Sequence, residues 1–240
     1  LEENLAMIRD TCAFLCENGR KVVYDAEHFF TGFLADPEYA LKSLEAAVEG
    51  GAETLSLCET KGGCMLKDVE RAVSAAVQRI GGRARIGIHT HNDCGLAVAN
   101  SLIAVEAGAR HVQGTFLGFG ERTGNANLSC IIPDLQLKMG YSCIPQENIK
   151  NLTDIAKRIA EITNISLNSG LPFVGGSAFS HKAGMHIDAV LKNPEAYEHI
   201  SPETVGNERV FLMSEVAGRS TIIEKIQKID PTITKSSPQV

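Results

Sequence analysis

Two histidines stand one residue apart in "GIHTHND", residues 87–93, at the end of the apolar run "RARIGI". On a strand, alternate side chains share a face, so His89 and His91 lie roughly 7 Å apart on one side. Two neutral imidazoles at the carboxyl end of a strand can ligate one divalent ion. Asn92 and Asp93 follow directly, and metal-bound histidines need acceptors of that kind to orient them. The bland alternative is a pair of structural histidines. A second segment, "GFGERTGNANL" (118–128), follows the next strand. Its glycines permit tight turns, and Asn125 offers an amide oxygen at an expected helix start. Alone this reads as a Gly-rich turn with an Asn cap. Beside the histidines it makes Asn125 a candidate third ligand. Two nitrogens and hard oxygens around an open position suit Mg²⁺, Mn²⁺ or Zn²⁺.

These residues need strands that end together. "KVVYDAE" (21–27), "ETLSLCET" (53–60), "ARIGIHTH" (84–91) and "HVQGTFLG" (111–118) read as strands. Helices are predicted over 1–19, 36–52, 67–80, 96–108 and from Asn125 to Met139. The strands begin about 30 residues apart and alternate with helices, which means βαβ units and a parallel sheet. A (β/α)₈ barrel repeats on that period but takes roughly 250 residues. Four βα units before residue 140 make an α/β chain carrying half of such a TIM barrel (1–143), followed by a mostly helical post-barrel segment (144–240). In the second part "NLTDIAKRIAEI" and "SEVAGRSTIIEKIQKI" read as helices. "NSGLPFVGGSAFSHKAGMH" reads as a long Gly/Ser-rich loop.

Composition narrows the function classes. Hydrophobic residues make up 44% of 240, enough for a core, and the net charge is −6 with no basic block. That argues against nucleic acid as a partner. No apolar run reaches the roughly 18 residues of a membrane span. The first residues show no signal-peptide pattern. Seven irregularly spaced cysteines read as reduced thiols of a cytoplasmic protein, and Cys94 and Cys130 are not expected to be metal ligands.

"HTHNDCGLAVANSLIAVEAGA" with "GERTGNANL" resembles the 2-isopropylmalate, homocitrate and citramalate synthase family, part of the DRE-TIM metallolyase superfamily. Its members are metal-dependent TIM-barrel enzymes that condense acetyl-CoA with a 2-keto acid. "YDAEHFFTGFLADPEYALKSLEAA" and "FVGGSAFSHKAGMHIDAVLKNPEAYEHISPETVGNER" are most similar to the citramalate branch, and the likeness runs from about residue 20 to 225. The resemblance implies that His89, His91 and Asn125 hold the metal, with Asn92, Asp93 and Glu121 around them. It implies that Glu27 is a carboxylate at a strand end and that Thr60 contacts the keto-acid carboxylate. His186, followed by Tyr197, is the catalytic histidine that the post-barrel segment offers to the partner of a homodimer. Glu27 and His186 are the candidates for moving the acetyl methyl proton. Pyruvate is the keto acid implied by the branch; 2-oxoisovalerate, a lyase running in the cleavage direction and a non-catalytic half-barrel are the alternatives. The chain departs from the family pattern at Glu59, Lys61 and Leu117. It shows no first-strand "LRDG"-like motif, whose Asp is the remaining ligand, and no regulatory C-terminal domain. By that reading the chain lacks the first barrel strands and is inactive alone.

Overall fold

The computed structural model describes residues 1–212 and, beyond them, 223, 226, 227, 230, 232, 233 and 237. The chain divides into two compact units, Leu1–Leu135 and Gln136–Val240.

The first unit alternates helix and strand. Its elements are α1 (Glu2–Glu17), β1 (Val23–Ala26), α2 (Phe29–Ala35), α3 (Pro37–Glu49), β2 (Thr54–Glu59), α4 (Leu66–Ile80), β3 (Arg85–Thr90), α5 (Ala97–Glu106), β4 (His111–Gln113) and α6 (Leu128–Pro133). The four strands form one parallel sheet in the order β1-β2-β3-β4. Chain order equals spatial order, with no reversal. A doubly wound sheet reverses at a switch point, so this is the winding of a TIM barrel, present as four βα units.

The pleat sorts side chains by parity. Leu55, Leu57, Ile86 and Ile88 pack with Leu44 and Ala47 of α3 and with Val69, Val73 and Ala76 of α4 in one core. Leu55, Leu57 and Ile88 are fully buried, each worth about 1.5–3 kcal/mol of transfer free energy. The opposite parity is polar: Asp25, Ser56, His89 and Gln113. The helices follow from local signals. Asp36 caps α3 through its Oδ1, which accepts from the Tyr39 N–H at 3.1 Å, and Pro37 opens the first turn. In α4 the apolar stripe Val69, Ala72, Val73, Ala76, Ile80 keeps helical spacing, and the helix stops at left-handed Gly81.

Two local expectations are corrected and one unassigned segment is filled. Residues 29–35 form α2, a seven-residue helix too short to announce itself by periodicity. The fourth strand is three residues long, and beyond it Leu117 takes a left-handed conformation (φ 64°) inside a 3₁₀ turn at Phe116–Gly118. The following helix starts at Leu128 and passes into a π-helical turn at Asp134–Lys138, where Pro133 has no N–H to continue the ladder.

The second unit holds α7 (Leu152–Ile162), β5 (Ser180–His181), α8 (Gly184–Lys192) and β6 (Val210–Phe211), with β5 and β6 paired in parallel. The α7 helix buries Leu152, Ala156 and Ala160, four residues apart. The expected loop over 168–186 is a compact fold instead. Its turns close through Ser177 N–H to the Ser169 carbonyl (2.8 Å) and Gly175 N–H to the Leu171 carbonyl (2.9 Å), over buried Phe173, Val174 and Phe179. The Asn207 amide donates to the Phe173 and Gly175 carbonyls and staples it. Of the helix expected over 214–229, Ile223, Ile226 and Gln227 are helical, and the rest lies outside the described residues. Among the described residues no helix is long and apolar enough to cross a membrane.

Candidate active site

The carboxyl end of β3 carries His89 and His91 with ring centroids 5.2 Å apart. The turn after β4 is stitched to this strand end. His91 and Asn125 form an antiparallel bridge, the Ala126 N–H donates to the Thr90 carbonyl, and the Asn92 N–H donates to the Gly124 carbonyl. The turn depends on Gly124 at φ 100°, where a β-carbon would collide with the Gly118 carbonyl. Asn125 does not start a helix. That role belongs to Asn127, whose Oδ1 accepts from the Ser129 N–H at 2.9 Å. Asn125 sits on the bridge, and its Nδ2 donates to the Phe119 carbonyl at 3.1 Å. Its Oδ1 is thereby left buried without a partner, and so is Nδ1 of His91. Burial, then the neighbouring His89 and Arg122, push the His91 pKa down, which favours the neutral ring that a metal requires.

Glu27 and Thr60 meet beside this pair. The Thr60 hydroxyl donates to Glu27 Oε2 at 2.8 Å and accepts from the His28 N–H at 2.8 Å. The remaining residues expected around the histidines are engaged elsewhere. Asn92 Oδ1 accepts from the Ala97 N–H at 3.2 Å and caps α5. Asp93 is clamped by Arg122, whose Nε and Nη2 donate to its two oxygens at 2.8 and 2.9 Å. Arg122 holds the Asp93 carboxyl below its usual range and also donates to the Thr60 carbonyl. Glu121 is exposed, and its carbonyl accepts from the Gly124 N–H. The acceptor on His89 is Gln113 instead: Oε1 lies 2.7 Å from His89 Nδ1, and Gln113 Nε2 donates to Asp25 Oδ1 at 2.8 Å.

Gln113, Asp25 and Arg122 were not singled out from sequence. For Gln113 the signal is its parity with His111 on a strand that neighbours the histidines. Of the departures from the family pattern, Glu59 is buried, with Oε1 accepting from the Gly63 N–H and burial raising its pKa. Lys61 is exposed. Leu117 occupies a left-handed position that asparagine adopts more readily.

In the second unit His186 lies in the first turn of α8 and stacks on Tyr197, centroids 4.3 Å apart. Beside Tyr197, Glu198 is buried and holds two partners. Arg209 donates to both its oxygens at 2.6 and 2.5 Å, and His181 Nε2 lies 3.1 Å from Oε1. The guanidinium, opposed by burial, holds the Glu198 carboxyl below its usual range.

The HMGL-like family model matches residues 1–160. The chain belongs to the HMGL-like family. A second model, homocitrate synthase post-HMGL domain-like, matches residues 173–239. This HMGL-like chain is 51% identical over 240 residues to an (R)-citramalate synthase of Aquifex aeolicus, covering 100% of the chain and 45% of that protein. It is 48% identical over 244 residues to an (R)-citramalate synthase of Synechocystis, covering 99% of the chain and 45% of that protein. The chain thus spans about half the length of these relatives. Among solved structures, a hydroxymethylglutaryl-CoA lyase from Pseudomonas aeruginosa superposes with a TM-score of 0.56 at 18% identity, over 69% of this chain and 57% of that one. That likeness shows the fold.

The donor set of the HMGL-like unit fits a divalent cation. Buried unpaired polar atoms cost about 1–3 kcal/mol each and are rare. Here two of them, an imidazole nitrogen and an amide oxygen, belong to residues bridged to each other, beside a second imidazole. One cation would satisfy both. Among the described residues no cluster of three or more His, Cys, Asp or Glu side chains could hold a metal.

Proposed function

We propose that the chain forms part of the active site of an enzyme that condenses acetyl-CoA with pyruvate to give (R)-citramalate. The observation that carries a metal-dependent reading is the pair of buried, unpartnered atoms, His91 Nδ1 and Asn125 Oδ1. The acid is taken from the names of the (R)-citramalate synthases that the chain resembles. His89, His91 and Asn125 would hold a divalent cation, which when bound would supply Lewis acidity at the keto acid's C2 oxygen.

The chain's own residues do the rest. Thr60 has one hydroxyl proton, now donated to Glu27. A keto-acid carboxylate arriving at the rim competes for that proton. When Thr60 turns to it, Glu27 loses its hydrogen-bond donor. Glu27 is then free to take a proton from the acetyl methyl group, or from a water that does so. The resulting carbon nucleophile attacks C2, and water cleaves the thioester, releasing the CoA thiol. Arg122 holds the Thr60 and Asp93 segments together, so it fixes where that carboxylate sits. His186 and Tyr197 serve the other subunit of a homodimer, with the imidazole donating to the developing enolate oxygen. The thioester and keto acid are the small-molecule partners.

The test is thiol release from acetyl-CoA by the intact protein with Mn²⁺ or Mg²⁺ and pyruvate, 2-oxoisovalerate or 2-oxoglutarate. Release with pyruvate supports the reading; release with none of the three overturns it. Mixing inactive His186→Ala and inactive His91→Ala subunits restores part of the activity if the histidine crosses the dimer. No recovery in verified mixed dimers overturns that part.

A further inference from the structure

Asp25 and Gln113 lie on β1 and β4, the outer strands of the sheet, 88 residues apart in the chain, and they are joined by a side-chain hydrogen bond. Between them run β2 and β3, whose same-face positions include the small residues Ser56, Cys58 and Gly87. Those leave room for the Gln113 and Asp25 side chains to reach each other across the polar face. The other end of Gln113 rests on His89.

We propose that Gln113, held by Asp25, is a positioning residue that locks His89 in its Nδ1–H tautomer and so presents a bare Nε2 to the cation. This deepens the metal-dependent reading above and rests on it. Each hydrogen bond in this chain of side chains runs one way. A carboxylate only accepts hydrogen bonds, so Asp25 draws the NH₂ end of the Gln113 amide. The amide oxygen must then face His89, and an amide oxygen also only accepts. His89 Nδ1 must therefore carry the hydrogen, and Nε2 keeps its lone pair. Which nitrogen of a histidine binds metal is set by the bond that the other makes. The side chains nearer in sequence do not perform this role, since Asn92 caps α5 and Asp93 is held by Arg122. His91 has no such lock, as its Nδ1 is unpartnered. His89 is thus the preset ligand, and His91 adjusts to the ion.

Two measurements test this on the intact protein: calorimetric Mn²⁺ titration after metal stripping, and ¹⁵N NMR of the metal-free His89 ring. The wild type is expected to show the Nδ1–H signature. Gln113→Leu keeps the bulk and removes the acceptor. It is expected to lose that signature and bind Mn²⁺ roughly 10- to 100-fold more weakly, the usual effect of removing an outer-shell partner. The double variant Asp25→Asn, Gln113→Glu reverses the Asp25–Gln113 bond yet still offers His89 an acceptor. It is expected to restore the Nδ1–H signature and most of the affinity, which a merely structural role would not do. Retention of both the signature and wild-type affinity by Gln113→Leu overturns the proposal. If Gln113→Leu fails to fold, absence of the Nδ1–H signature in wild type and double variant overturns it equally. His89→Ala and His91→Ala separate the two layers of the argument. If neither weakens Mn²⁺ binding, the metal reading falls, while the tautomer measurement still decides the role of Gln113.

Discussion

Replacing Arg209 by methionine tests how the second unit holds His186 and Tyr197. Arg209 donates to both oxygens of Glu198 at 2.6 and 2.5 Å, with 2% of the Glu198 side chain and 27% of the Arg209 side chain exposed. Removing one partner of a buried pair costs about 3–5 kcal/mol, because a buried charge is left uncompensated. Arg209 borders solvent, so water reaches part of the gap, and His181 remains at 3.1 Å. A loss of about 2–4 kcal/mol is therefore expected, roughly 30- to 1000-fold in the local folding equilibrium. The pH dependence has a definite sign. In the wild type the Glu198 pKa is lowered, chiefly by Arg209. Its contribution is present above the unfolded value of about 4.3 and is lost as pH falls through the folded value. Without the guanidinium, burial, opposed by the His181 contact, moves the carboxyl up, so the variant's deficit shrinks as pH falls and the acid becomes neutral. Amide hydrogen exchange across α8 and β5–β6 reads the local opening free energy without assuming that the whole chain unfolds in one step. Glu198→Gln added to Arg209→Met removes the stranded charge and is expected to recover more than half of the loss. A single variant within about 0.5 kcal/mol of wild type, the size of an ordinary surface substitution, or a double variant no better than the single, refutes the reasoning.

Gly62 at φ 67° lies where a β-carbon would collide with Asp93, so Gly62→Ala is expected to destabilise by more than about 1 kcal/mol in urea titration; an unchanged midpoint refutes the packing. Leu117→Asn is expected to stabilise by up to about 1 kcal/mol, since the left-handed region costs other residues roughly 1–2 kcal/mol. The thiols of Cys58, Cys64 and Cys130 are pushed up to about 12 by burial, so iodoacetamide at pH 8 is expected to leave them unmodified in the native protein while it labels exposed Cys94. Cys94→Ser is expected to keep Mn²⁺ affinity and turnover whereas His91→Ala loses both; equal loss in the two refutes the ligand assignment.

What was legible in the sequence is what depends on period. The β2, β3, α3 and α4 elements fall where alternating and 3.6-residue patterns put them, because each buries one face in a common core. The His89–His91 pair was legible for the same reason, since parity on a strand is local. The "GNANL" segment was harder. Both Asn125 and Asn127 suit a helix cap, and the choice is made by the bridge from Asn125 to His91, 34 residues earlier. A seven-residue helix such as α2 offers too few turns to display a stripe. In "HVQGTFLG" the apolar residues continue past the point where the backbone leaves the sheet, and nothing local marks Leu117 as left-handed.

The roles around the histidines are set by partners that residue type and spacing do not name. Asp93 reads as a ligand-orienting acid until Arg122, 29 residues on, takes both its oxygens. Asn92 reads as a second acceptor until the open N–H of Ala97 claims it. With both withdrawn, His89 would lack an acceptor were it not for Gln113 on the adjacent strand, and Gln113 would be free to turn its amide either way were it not for Asp25 on β1. Residue type alone favours the carboxylate nearest in sequence. The parallel sheet reverses that preference, because Gln113 stands at the same register as His89 on the adjacent strand, where neighbouring strands lie about 4.8 Å apart. In a sheet of this winding, then, orienting partners are better sought at the same register on adjacent strands than in the residues that follow the ligands.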